Sequence, residues 1–113
     1  MPLDCRWSIL THSKLAGLEQ GFKVACAGRF NTNGSIIYKQ GSVSVARTAT
    51  GTYKITHNLN TTAYGVIGCG MRTDGWPVII GVKEQYTNYC VIVCNEGEGG
   101  YDDCTVNFIL FKF

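Results

Sequence analysis

Alternation with a period of two constrains this chain more than any other feature of its sequence. Across residues 51–57, Tyr53 and Ile55 point one way while Thr52, Lys54 and Thr56 point the other, the spacing of a strand with one buried face. Phe22, Val24 and Cys26 share a face in the same manner, with Lys23, Ala25 and Ala27 opposite. Residues 35–39 and 42–47 read as the next strands, the second with Val43 and Val45 inward and Ser42 and Ser44 outward. Asn31-Thr32-Asn33-Gly34, Thr50-Gly51 and Asp74-Gly75-Trp76-Pro77 supply turns, built from residue types that accept left-handed backbone. Residues 63–72 form a long strand whose Gly65, Gly68 and Gly70 point to close backbone packing or a bulge. Residues 78–84 and 89–94 are apolar on both faces and read as central or interface strands. A Gly-rich loop over 95–103 precedes a closing strand at 104–113. Seven or eight short strands predict an all-β domain, an antiparallel β-sandwich or jelly roll.

The first 21 residues follow a different rule. Trp7, Leu10, Leu15 and Leu18 make a partial helical stripe broken by Gly17. A helix this short is marginal in water and needs a surface to lie on. The chain therefore divides into an N-terminal extension, 1–21, serving attachment or oligomerisation, and a sandwich domain, 22–113. Its 113 residues suit one core. A net charge of +2, with Lys and Arg scattered from Arg6 to Lys112, argues against a nucleic-acid partner. No apolar run approaches the ~20 residues of a spanning helix, which argues against membrane insertion. The opening Met1-Pro2-Leu3-Asp4-Cys5-Arg6 lacks the charged and apolar regions of a signal peptide, so synthesis and folding in a cytoplasm are expected. Without a secretion route, the sequons at Asn33 and Asn60 carry no weight.

Six cysteines in a short chain invite a disulfide framework. Position argues for buried thiols instead, since Cys26, Cys69, Cys90, Cys94 and Cys104 all fall in apolar, strand-like runs. Cys90 and Cys94 share a strand face roughly 13 Å apart, beyond the ~7 Å a disulfide tolerates. Cys90, Cys94 and Cys104 lack the paired short spacing of a zinc site. Neither His12 nor His57 stands beside a nucleophile or in a ligand spacing, so both read as exposed or capping residues. Glu96, Glu98, Asp102 and Asp103 offer oxygens to calcium but lack its alternating ligand pattern, and read as a solvated loop. The glycines at 65, 68 and 70 precede no helix, so no phosphate loop is present. The expectation is a protein that is not an enzyme and carries no cofactor and no metal.

Aromatic presentation is what remains. Trp76 occupies one turn, Tyr86 and Asn88 another, and Tyr101 the acidic loop. Rings flanked by Asn, Asp and Thr offer apolar area to a sugar and polar groups to its hydroxyls, so these four are the candidate binding residues. Trp76 leads them, because Asp74-Gly75 and Pro77 fix the backbone on both sides. The competing reading folds each ring back onto the sandwich end as local core.

Residues 26–35 read Cys-Ala-Gly-Arg-Phe-Asn-Thr-Asn-Gly-Ser, and 43–56 carry Val-Ala-Arg-Thr-Ala-Thr-Gly-Thr-Tyr-Lys-Ile-Thr in their later part. With Tyr64 leading one strand and the apolar close at 108–111, these segments resemble the C-terminal modules of bacteriophage tail fibres and related virion appendages. The resemblance covers about residues 22–113 and rests mostly on turn and core positions. It implies a β-sandwich, a homotrimer on a virion, and contact with host glycans or receptors; it supplies no catalytic residues. Six cysteines and the lack of a fibre shaft depart from that pattern. Under this reading the extension attaches the domain to other virion proteins. A free-standing soluble lectin is the alternative.

Overall fold

The computed structural model describes residues 23–113 and is an all-β sandwich. The stripe carrying Trp7 and Leu10, together with Cys5, His12 and Phe22, lies outside the described residues. Eight strands follow one another: β1 (Lys23–Phe30), β2 (Ile36–Gln40), β3 (Ser44–Ala49), β4 (Thr52–Thr56), β5 (Tyr64–Met71), β6 (Ile79–Gln85), β7 (Tyr89–Asn95) and β8 (Thr105–Lys112). They build two four-stranded sheets, ordered β2-β1-β8-β5 and β3-β4-β7-β6, with every pairing antiparallel.

The inward faces meet in one core. Tyr53, Ile55, Cys90, Ile92 and Cys94 come from one sheet; Cys26, Phe30, Val106, Phe108 and Leu110 come from the other. Phe30 bridges them, its ring 4.7 Å from Tyr53 and 5.9 Å from Phe108 between centroids. Burial of side chains this large contributes about 1.5–3 kcal/mol each. Both buried tyrosines satisfy their hydroxyls at the ends of the sandwich: Tyr53 donates to the Thr32 carbonyl at 2.7 Å and Tyr64 to the Tyr86 carbonyl at 2.6 Å. Burial pushes the Tyr64 hydroxyl up to about 12.

Gly68 and Gly70 lie on the inner face of β5 and make room for the opposite sheet. A Cβ on Gly70 would stand 2.5 Å from Val78 Cγ2 and 2.9 Å from Cys104 Sγ. Gly65, on the outer face, is covered by the Phe111 ring. Close packing, rather than a bulge, explains all three, since β5 pairs with β8 without a register shift.

Four expectations need correction. The register of β1 shifts between Val24 and Cys26, which breaks the simple alternation and leaves Val24 58% exposed while Cys26 is buried. Of the two strands expected to be central or interface strands, β7 is central, whereas β6 is not central but lies at the sheet edge, with Ile79 and Val82 exposed. Cys69 points outward from β5 and is exposed, unlike Cys26, Cys90, Cys94 and Cys104. His57 is not exposed: it is buried against the Tyr64 ring, 4.3 Å between centroids, and of the two expected roles it keeps only the capping one, its Nδ1 accepting the Leu59 N–H.

Antiparallel pairing sorts the connections to two ends. The β1–β2, β3–β4, β5–β6 and β7–β8 connections share one end, tied together by Tyr53 to Thr32 and by the Cys94 N–H to the Gly51 carbonyl. The β4–β5 and β6–β7 connections share the other, where the His57 and Asn58 N–H groups both donate to the Asn88 carbonyl. No helix among the described residues is long and apolar enough to cross a membrane.

Candidate functional site

The end that carries the β5–β6 and β7–β8 loops is built around Arg72. Its guanidinium meets Asp74 at 2.7 Å, Asp102 at 3.1 Å and Glu96 at 3.3 Å. Asp74 belongs to the same loop as Arg72, whereas Glu96 and Asp102 come from the neighbouring one, so a single cation clamps the two loops together. Gly75, at φ 79°, lets the first loop turn, and its N–H closes on the Arg72 carbonyl at 3.1 Å. The Trp76 N–H then donates to Asp74 Oδ1 at 3.0 Å, and the indole Nε1–H donates to the Glu96 carbonyl at 3.1 Å.

The second loop is ordered by its own backbone. Glu96 N–H donates to the Gly100 carbonyl at 3.1 Å, Gly97 N–H to Asn95 Oδ1 at 2.7 Å, and Asp102 N–H to the Cys94 carbonyl at 3.0 Å. Tyr101 forms an antiparallel bridge with Asn95. Asp103 closes the loop onto the β3–β4 turn, accepting from Gly51 N–H at 2.7 Å and from Arg47 Nε at 3.0 Å, with the Tyr53 hydroxyl at 3.3 Å. Arg47 is the main reason the Asp103 carboxyl titrates below its usual range; the Gly51 and Tyr53 hydrogen bonds add to it. Glu96, Asp102 and Asp103 are thus ion-paired to Arg72 and Arg47, not simply solvated. No group of three or more His, Cys, Asp or Glu side chains among the described residues is placed to hold a metal ion.

The four candidate binding residues split between the ends. Trp76, 50% exposed, and Tyr101, 44% exposed, both attach to the Asn95–Asp103 loop. Tyr86 and Asn88 sit at the opposite end. Tyr86 is also exposed, its ring tilted by 33° against Tyr89 with centroids 4.7 Å apart and its hydroxyl pushed up chiefly by Glu84. Asn88 is a tie between connections: its carbonyl takes His57 and Asn58, and its Oδ1 takes the Asn60 N–H at 2.8 Å. Pairing order, which a linear pattern does not contain, decides this split. Arg72 had a local signal only in its spacing to Asp74; its partners Glu96 and Asp102 arrive from the other loop.

A second surface is apolar. On the outer face of the β2-β1-β8-β5 sheet, Ile67 pairs directly with Ile109, and Ile109 with Ala27. Ile67, Ile109 and Met71 are exposed there, and Ile67, Cys69, Asn107 and Ile109 border a shallow depression of about 170 Å³. Comparison with protein-family models, with curated proteins and with solved structures finds no match.

Proposed function

We propose that this chain is a non-enzymatic module of a bacteriophage virion, a tail-fibre tip, appendage or capsid decoration protein that presents its Trp76 end to a host-surface glycan or receptor. The observation that carries this reading is Trp76 itself. Its indole N–H is already committed to the Glu96 carbonyl, yet half of the residue stays exposed. A ring fixed in this way loses little freedom when a ligand arrives. It offers apolar area to a sugar face, while the polar groups of Asp74, Asn95 and Glu96 stand on the same two loops. Tyr101 adds a second exposed ring to that end. The resemblance of residues 22–113 to virion-appendage modules supports the same class. In this reading the chain is made in the host cytoplasm and resides in the virion. It assembles as a homotrimer through its apolar outer face, and residues 1–21 attach it to other virion proteins.

An array of bacterial surface glycans, probed with the full chain, tests the recognition end. Trp76→Ala should abolish binding while stability stays within about 1 kcal/mol, as for most surface substitutions. Tyr86→Ala, at the opposite end, should bind as the parent does. Binding that survives Trp76→Ala but is lost in Tyr86→Ala would place the site at the wrong end and overturn the proposal. Finding the chain in purified virions by mass spectrometry supports the virion assignment; a glycan-binding chain absent from them is a free-standing lectin.

A further inference from the structure

We propose that Cys94 and Cys104 are an oxidisable pair whose disulfide staples the base of the Asn95–Asp103 loop. Cys90 and Cys94, on one face of β7, are too far apart along the strand to bond; the fold brings a different pair together. Cys94 lies in β7 of one sheet and Cys104 precedes β8 of the other. Their Sγ atoms stand 2.7 Å apart, both side chains fully buried. A disulfide needs about 2.05 Å between sulfurs, so closure asks for a shift of less than about 1 Å. The surrounding backbone already holds the two residues in place: Cys94 N–H donates to the Gly51 carbonyl at 2.8 Å, and the Cys94 carbonyl accepts from Asp102 N–H at 3.0 Å.

The two thiols are not equivalent. A single hydrogen bond joins them, and it lowers the Cys104 thiol while raising that of Cys94, although burial and the nearby carboxylates of Asp102 and Asp103 oppose ionisation of both. With Cys104 as the attacking sulfur, exchange takes two steps, and the roles of the two cysteines can be reversed. The Cys104 thiolate attacks one sulfur of a small external disulfide, expelling one thiolate of that reagent and leaving a mixed disulfide. Cys94 then gives up its proton and attacks Cys104 Sγ, expelling the second reagent thiolate. Two protein thiols lose two electrons, one external disulfide is reduced to two thiols, and the protons released end on those thiols.

Because both sulfurs are buried, exchange requires the loop to open, so the pair closes slowly on the folded protein and readily during refolding. The bridge crosses between the sheets and encloses the loop that carries Tyr101 and the Glu96 carbonyl holding Trp76. It stands whether or not that end binds a glycan.

The test refolds the full chain from denaturant in mixed oxidised and reduced glutathione, then alkylates the remaining thiols. Cleavage after Glu96 or Glu98 separates Cys94 from Cys104, so a bridge shows as two covalently joined peptides, located by fragmentation. The expected result is a Cys94–Cys104 link within one chain, a thermal midpoint several degrees above that of the reduced protein, and no such rise in Cys94→Ala. Cys90→Ala should keep both the link and the rise. Full alkylation of Cys94 and Cys104 after oxidative refolding, or a link joining either one to Cys26 or Cys90, would overturn the proposal.

Discussion

His57 and Asp103 are both polar side chains drawn toward the core, and they respond to acid for opposite reasons. Asp103 is held as an anion by Arg47, the Gly51 N–H and the Tyr53 hydroxyl. His57 is held neutral. Its Nδ1 accepts the Leu59 N–H at 3.0 Å, so the ring proton sits on Nε2, which is buried without a hydrogen-bond partner among the described residues. Burial lowers its pKa below the ordinary imidazole value. The unfolded chain binds a proton as pH falls through about 6.5, while the folded chain still resists it. The stability His57 contributes is therefore whole above that pH and is lost as pH falls from there through the lower folded pKa. Urea unfolding should show a lower midpoint at about pH 5.5 than at about pH 7.5. His57→Asn, which keeps an acceptor for Leu59, should flatten that slope. An equal slope in both proteins would show that His57 does not carry it. The sequence marked His57 only as lying at the end of a strand; its burial comes from Tyr64, seven positions on and in the other sheet.

Strand β5 shows what a pattern of glycines does when two sheets approach. Gly68 and Gly70 face inward, where Ile80 and Val78 from the neighbouring sheet occupy the space their side chains would take. Gly70→Ala should destabilise the domain by about 1–3 kcal/mol, the usual range for overpacking, because Val78 Cγ2 and Cys104 Sγ both stand under 3 Å from the new carbon. Chemical denaturation checks this, with Gly75→Ala as the contrast: there nothing lies within 4 Å and only the positive φ opposes the change. Equal losses at the two sites would mean that crowding is not the reason for Gly70. The strands themselves were legible, because alternation and turn residues are local; β4, with Tyr53 and Ile55 buried side by side, is the clearest case. Legibility ended wherever a distant strand decided the outcome. A shift of register against β8 turns Val24 outward, and the order β4-β7-β6 leaves β6 at an edge despite its apolar sequence. The site was half legible on the same terms. Turn chemistry singled out Trp76, but which loops share its end depends on how the strands pair.

At the scale of the molecule, the sandwich exposes an apolar stretch on one sheet face, beside the polar pair Arg29 and Asn107. Alternation in an antiparallel sheet ordinarily sends polar residues outward, yet on β5 and β8 the outward positions include Ile67, Met71 and Ile109, all exposed. Ile67 and Ile109 are cross-strand neighbours, so the apolar surface is continuous rather than scattered. Continuous apolar patches mark interaction surfaces, and three copies set around an axis can turn the same face inward with a closed arrangement that leaves no copy unsatisfied. The proposed homotrimer would place this face at its centre. Light scattering at micromolar concentration should give three times the 12.4 kDa protomer mass. Ile67→Glu combined with Ile109→Glu places like charges at that centre and should yield folded monomer, with a far-ultraviolet spectrum like that of the parent. A clean monomer from the unaltered chain would remove the trimer, and a trimer that survives both glutamates would move its interface to another surface.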